Sequence, residues 1–290
     1  MTSAAGTGIS AARRAFGRFN AAAALLLLVA GGMVTSTNSG MAVPDWPLSY
    51  GQWLPRMSGG VFYEHGHRMI AASVGFMILL MAFWTQFADS RPGVRRLAWW
   101  TLFGVSLQGV LGGVTVWFGL PVAVSAAHAT LGQTIFCLLV IMAELVGEGA
   151  QAPVAAEPVG KLPLLGAFAV AALWCQLVAG AIMRHGGSGI LWHLLGAAVA
   201  ASAAGIFGAA ALARREAILQ RPAAALLGLL AVQLMLGLAT ADFRTEPFPR
   251  INHAMIAAAT VHLAVGALLL GTAVLLAFRL FRLRRESSAS

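Results

Sequence analysis

Seven histidines are the residues whose type and spacing could do chemistry in this chain: His65, His67, His128, His185, His193, His253 and His262. Four of them form two matched sets, His67 with His193 at a separation of 126 residues and His128 with His262 at 134. An ionisable side chain in apolar surroundings is expensive and is a functional candidate by default. Two imidazoles facing each other across a helix bundle are what axial ligation of a haem iron requires. A zinc or copper site would want three or four converging ligands, and almost no carboxylates or thiols accompany these histidines. Both cysteines, Cys137 and Cys175, lie inside apolar runs, which excludes a disulfide framework. The pattern predicts two bis-histidine haem sites, one from His67 and His128 and one from His193 and His262.

The remaining candidates are neighbours of these four. His65 is two residues from His67, about 200° around a helix, so the two cannot face one iron. Glu64 lies three residues before His67, on the same face, and four before Arg68. It has two readings: an ion pair with Arg68 that anchors the helix start, or a carboxylate one turn from a ligand that accepts or relays protons. His253 and His262 are half a turn out of phase, so only one can point inward. Gly266, four residues after His262 as Gly132 is after His128, favours His262. Arg184 and His185 read as interfacial residues at a Gly-rich loop start and are candidates for contact with a haem propionate.

These side chains must be positioned by membrane-spanning helices. The chain has 290 residues, 59% hydrophobic and 10% charged, with a mean hydropathy of +0.81. Soluble proteins carry roughly 25% charged residues, so a water-soluble enzyme is excluded. Eight segments are long and apolar enough to span a bilayer: 20–37, 67–88, 97–118, 122–146, 163–183, 189–212, 223–241 and 254–278. The first does not read as a cleaved signal peptide, because no small-residue cleavage site follows it. With a cytoplasmic N-terminus, 14 of the 19 Lys and Arg residues fall on the inner side and five on the outer. This follows the positive-inside rule, with both termini cytoplasmic and the histidines towards the outer face. The net charge of +9 is thus a topology signal and gives no reason to invoke nucleic acid.

The segment 148–160, with Pro, Gly and Ala but no helical period, divides the spans into two sets of four. The sets repeat. Leu28-Val-Ala-Gly31 matches Leu177-Val-Ala-Gly180 at an offset of 149, and Gln108-x-x-Leu-Gly-x-x-Thr115 matches Gln233-x-x-Leu-Gly-x-x-Thr240 at 125. The drop from 149 to 126 between the first two spans leaves 23 extra residues in the first outer loop of the N-terminal half. An even number of spans per half makes the repeat parallel, about an axis along the membrane normal. The expectation is an all-α integral membrane protein of two pseudo-symmetric four-helix bundles, 19–147 and 162–278. Around them lie a cytoplasmic tail (1–18), a cytoplasmic linker (148–161) and a basic cytoplasmic tail (279–290).

At these residues the chain resembles the haem A synthase family. The most specific pieces are Glu64-His-Gly-His-Arg68, Pro44-Asp-Trp-Pro-Leu-Ser-Tyr-Gly51 and Gln108-x-x-Leu-Gly-Gly-x-Thr-Val116. The resemblance implies oxidation of a methyl group of haem O to the formyl group of haem A, through an alcohol and a geminal diol, for delivery to cytochrome oxidase. It implies that the substrate haem is held at His67 and His128, and a haem b cofactor at His193 and His262, with Glu64 catalytic. Pairing with a haem O synthase and with cytochrome oxidase assembly factors, an electron donor of unknown identity and a bacterial cell membrane are implied in the same way. The chain departs from many bacterial members in having Val43 and Ser49 where they carry a cysteine pair, which removes a disulfide relay on that loop. It also has Leu194, not Arg, after His193. Trp46, Tyr50 and Trp53 either cover the substrate site or form an ordinary interfacial aromatic belt. The histidines alone also admit a dihaem quinol oxidoreductase or a haem carrier.

Overall fold

A computed structural model describes residues 10–147, 158–242 and 253–287 of the chain. They form eight helices: α1 (Ala11–Ser36), α2 (Gly60–Ala88), α3 (Pro92–Trp117), α4 (Val122–Leu145), α5 (Leu162–Gly186), α6 (Ile190–Ala213), α7 (Ala217–Asp242) and α8 (His253–Ser287). All eight contain a stretch long and apolar enough to cross a membrane, so the chain is a multi-pass membrane protein. Their order matches the eight expected segments, and the described residues contain no strand beyond one isolated bridge, Ser49 to Gln52.

Helix packing follows the repeat. Within the first half α1 packs on α2, α2 on α3, and α3 on α4; α5 to α8 repeat the series. Across the halves α1 meets α8 and α4 meets α5, while α4 and α8 meet directly. That is the contact set of a two-fold axis running between α4 and α8, parallel to the helices. Lipid offers no hydrophobic drive to join helices, so small residues must let them approach closely. Gly271 does so at the axis, where a Cβ would come within 2.8 Å of Phe136 Cε1, and Gly166 does so for Phe207 at 2.8 Å. Large side chains such as Phe87, Trp100 and Leu238 are left facing outward, as befits lipid-exposed surface.

Several ends differ from the expected spans. The first helix starts inside the segment assigned as a tail, because Ser10 caps it, its Oγ accepting from Arg13 N at 3.2 Å. Arg13 is buried and donates to Asp89 at 2.6 Å, so this basic residue holds the start of α1 to the end of α2. Helix α8 likewise runs on through most of the expected basic tail, to Ser287, and Arg279 anchors this extension by a two-pronged contact with Glu144 of α4, both at 2.8 Å. Within the linker, 148–157 lies outside the described residues, and Val159 packs into the core. Arg244 and Arg250, two of the five basic residues expected on the outer side, also lie outside the described residues.

Candidate functional site

The four paired histidines sit near the starts of α2, α4, α6 and α8. In an up-and-down arrangement these starts share one end of the molecule. Each ring lies against a glycine on the odd-numbered helix before it. A Cβ would come 3.1 Å from His67 Cε1 at Gly31 and 3.2 Å from His128 Cε1 at Gly112. At Gly180 it would come 2.9 Å from His193 Cε1, and at Gly237 3.4 Å from His262 Cε1. A flat imidazole can lie against the neighbouring backbone only where no side chain intervenes, so these glycines are slots. Gly31 and Gly180, and Gly112 and Gly237, are the same glycines that marked the repeat in the sequence.

His67 lies within electrostatic reach of His128, and His262 within electrostatic reach of His193. The Nδ1 atoms of His67, His128 and His262 are buried without a hydrogen-bond partner. Such an atom costs about 1–3 kcal/mol. Imidazoles seated in glycine slots, three of them with an unpartnered Nδ1, are residues that would hold a haem iron. Among the described residues no three His, Cys, Asp or Glu side chains converge as a simple metal site would need.

Three glutamines complete the histidine supports. Gln108 Nε2 donates to the backbone oxygen of His128 at 2.8 Å, and Gln176 Nε2 does the same for His193 at 2.8 Å while lying 3.0 Å from its Nδ1. Gln233 Nε2 lies 3.3 Å from His262 Nε2. Gly132, Gly196 and Gly266 leave the room these amides fill. Gly266 therefore accommodates Gln233 and is not itself a seat for the His262 ring, although His262 is the inward member of its pair and His253 is exposed at the first residue of α8. Sequence reasoning saw Gln108 and Gln233 in the repeat but missed Gln176 and the function of all the slots. The signal was present as Gln-x-x-x-Gly, one helical turn apart, on α3, α5 and α7.

The N-terminal half has a further layer. Its 37–59 loop is fastened to the start of α2: Val43 N donates to Glu64 Oε2 at 2.8 Å, and Arg68 binds Glu64 Oε1 at 2.5 Å. Arg68 also donates to the carbonyls of Asp45 and Leu48, at 2.7 and 2.8 Å. Glu64 is only 4% exposed, and its partner Arg68 is half-buried, so the pair is largely shielded from solvent. The loop closes on itself where Gly51 N and Tyr50 N donate to Asp45, and these bonds hold that carboxyl below its ordinary range. His65 turns to this loop, its Nδ1 2.8 Å from Ser49 Oγ. Of the three loop aromatics, Trp46 packs down on α3, its ring 2.9 Å from where a Gly113 Cβ would sit and edge-on to Trp117 at 5.4 Å between centroids. Tyr50 and Trp53 are exposed.

Arg184 and His185 belong to the last turn of α5 and not to a loop, because α5 continues to its left-handed cap at Gly187 (φ 69°). Arg184 reaches across to α1, donating to Ser36 Oγ at 2.7 Å and to the Gly32 carbonyl at 3.3 Å. Ser36 in turn meets Thr260 of α8 at 3.0 Å, so this cluster ties the two halves at the histidine end. His185 is half-buried and within electrostatic reach of His128.

These features define a class: a multi-pass helical membrane protein of two parallel four-helix repeats, each with a histidine pair at the same end. Residues 58–193 match the family model described as "Cytochrome oxidase assembly protein". The chain is 32% identical over 155 residues to Heme A synthase of Symbiobacterium thermophilum, covering 51% of each chain. It is 34% identical over 127 residues to Heme A synthase of Shouchella clausii, covering 43% of this chain and 42% of that one. The chain thus spans about half the length of the curated relatives it matches. The resemblance to the haem A synthase family carried by Glu64-His-Gly-His-Arg68 is borne out.

Proposed function

We propose that this protein is a haem A synthase, an oxidoreductase that converts a methyl group of membrane-bound haem O into the formyl group of haem A for cytochrome oxidase, a four-electron oxidation whose electrons pass to an external acceptor. The observation that carries the reading is the set of four histidines in glycine slots, paired within each bundle and gathered at one end. Substrate haem O is assigned to His67 and His128, under the fastened loop, and a haem b cofactor to His193 and His262. Bound there, haem b would supply one-electron redox capability to the reaction, while the protein supplies position and proton handling. The histidine end lies towards the outer face of a bacterial cell membrane, with both termini cytoplasmic, as the distribution of Arg and Lys supports.

The chain's own groups divide the work. His67 and His128 fix the substrate against rotation. Glu64, one turn before His67, is the carboxylate assigned to accept or relay protons; Arg68 and the Val43 amide hold both its oxygens, so its geometry is set in advance. Trp46 packs on Gly113 beside the site and excludes water. Arg184 and His185 are assigned to contact with haem propionates at the junction of the halves. The apolar helices accommodate the farnesyl tail of haem O.

The test is expression of the full chain, with and without a haem O synthase, in a host lacking haem A, followed by chromatography of extracted pigments. Haem A or hydroxylated haem O beside haem b, only when haem O is supplied, supports the reading. Haem b alone under both conditions overturns it in favour of an electron-transfer protein or a haem carrier.

A further inference from the structure

The support that each histidine receives is repeated three times and broken once. Gln108, Gln176 and Gln233 each stand four residues before the slot glycine of their helix; Gln108 and Gln176 donate to the backbone oxygen of the histidine in that slot, and Gln176 and Gln233 reach its ring. In α1 the corresponding residue, four before Gly31, is Leu27; it also matches Gln176 at the repeat offset of 149. The partner position is changed as well. Gly196, which makes room for Gln176, corresponds at the offset of 126 to Ile70. Leu27 and Ile70 are both half-buried against the apolar core. An amide and the glycine that admits it have thus both been replaced by hydrocarbon, so His67 lacks the glutamine that the other three have; its Nδ1 is buried without a partner, as are those of His128 and His262.

We infer that His67 is the exchangeable ligand of its pair, the imidazole that lets a haem enter and leave, whereas the three glutamine-supported histidines are fixed ligands. The inference rests on the assignment of the substrate to the N-terminal half. A group that orients a metal-binding histidine typically contributes 10–100-fold to metal affinity, so its absence from one of four equivalent places is large enough to separate a site that turns over from one that retains its haem. A substrate haem must leave as product, and one ligand held only by packing against Gly31 permits that without disturbing His128. Leu27 and Ile70 are positioning residues here; neither is assigned contact with iron.

The experiment uses the full chain in detergent, loaded with iron protoporphyrin IX, and follows haem transfer to excess apomyoglobin. Two phases are expected, with the fast one absent from His128→Ala and the slow one absent from His262→Ala. The double variant Leu27→Gln/Ile70→Gly restores the missing support and should slow the fast phase about 10-fold or more. Gln176→Leu should accelerate the slow phase by a similar factor and shift the electron paramagnetic resonance signal of the retained ferric haem. An unchanged fast phase in a folded double variant overturns the inference. Should that variant not fold, an unchanged slow phase in Gln176→Leu overturns it instead. Equal release from the two halves of the parent defeats the inference but leaves the function standing. An N-terminal half that takes up no haem defeats both.

Discussion

The two halves share a frame and differ in the side chains and the loop placed around their histidine pairs. In the C-terminal half, both histidines are supported by glutamines and the connection from α5 to α6 is only three residues, 187–189. In the N-terminal half one support is missing, and the corresponding connection, 37–59, is a long loop fastened to α2 through Glu64 and Arg68. On the proposed function, a duplicated bundle keeps one site as a permanent holder and turns the other into a covered workplace. The changes needed are small: one loop, one carboxylate and one hydrocarbon pair.

The largest effect expected is loss of whole haem equivalents. His193→Ala or His262→Ala should remove the low-spin haem b absorption while the protein remains in the membrane. His67→Ala or His128→Ala should abolish conversion and spare most of that signal. Absorption spectra and pyridine haemochrome stoichiometry measure both, and loss of all haem from His128→Ala would show that the halves are not independent. If His253→Ala and not His262→Ala costs the signal, the wrong face of α8 has been assigned.

Next in size is Glu64→Gln, which keeps the shape and removes the charge. General acid–base groups typically contribute 100–10,000-fold, so conversion should stall at haem O or the alcohol with substrate binding retained. Haem A formation at the parental rate would make Glu64 a loop anchor only. Its C-terminal counterpart position offers no control, because no Glu-Arg pair brackets His193.

A graded effect should separate the slots. Gly180→Ala brings a methyl to 2.9 Å from His193 and should weaken haem b binding about 10-fold, while Gly237→Ala, at 3.4 Å, should be nearly silent. Titration of each apoprotein with iron protoporphyrin IX checks the ranking, and equal effects would show that the slots do not set ring position.

The smallest effect on chemistry, though not on stability, is expected at Asp89. Burial alone would raise its pKa, but hydrogen bonds from Arg91 and Arg13 outweigh that and hold it well below the ordinary range. A carboxylate depressed in the folded state stabilises fully above its unfolded pKa of about 3.9, and that stability is lost as pH falls through the lower folded value. Thermal unfolding in detergent should therefore be insensitive to this pair from neutral pH down to about pH 4 and weaken below. Asp89→Asn should cost about 3–5 kcal/mol, because Arg13 is left buried with its charge unmatched. It should destabilise the N-terminal half and leave haem b in place.

Much of this was legible in the chain. Hydropathy fixes the number of spans because a bilayer requires about 20 apolar residues per helix. The offsets reveal the duplication, and phase around a helix separates His65 from His67 and His253 from His262. Arg13 shows where such reading stops. As a charge near an apolar run it signals topology, yet it is buried, and the partner that allows this, Asp89, is 76 residues away. Glu64 shows the same limit. Its relation to Arg68 follows from i,i+4 spacing, but the Val43 amide that holds its other oxygen comes from a loop whose path no periodicity specifies. The slots are the deepest case: Gly31, Gly112, Gly180 and Gly237 are visible as repeated letters, but a missing side chain has meaning only when a neighbouring helix fills the space. Local spacing on a helix is set by a fixed 100° rotation per residue and can be read directly. Which ring enters which gap, and which charge is matched across helices, depends on contacts between residues distant in sequence, and these exist only once the bundles have packed.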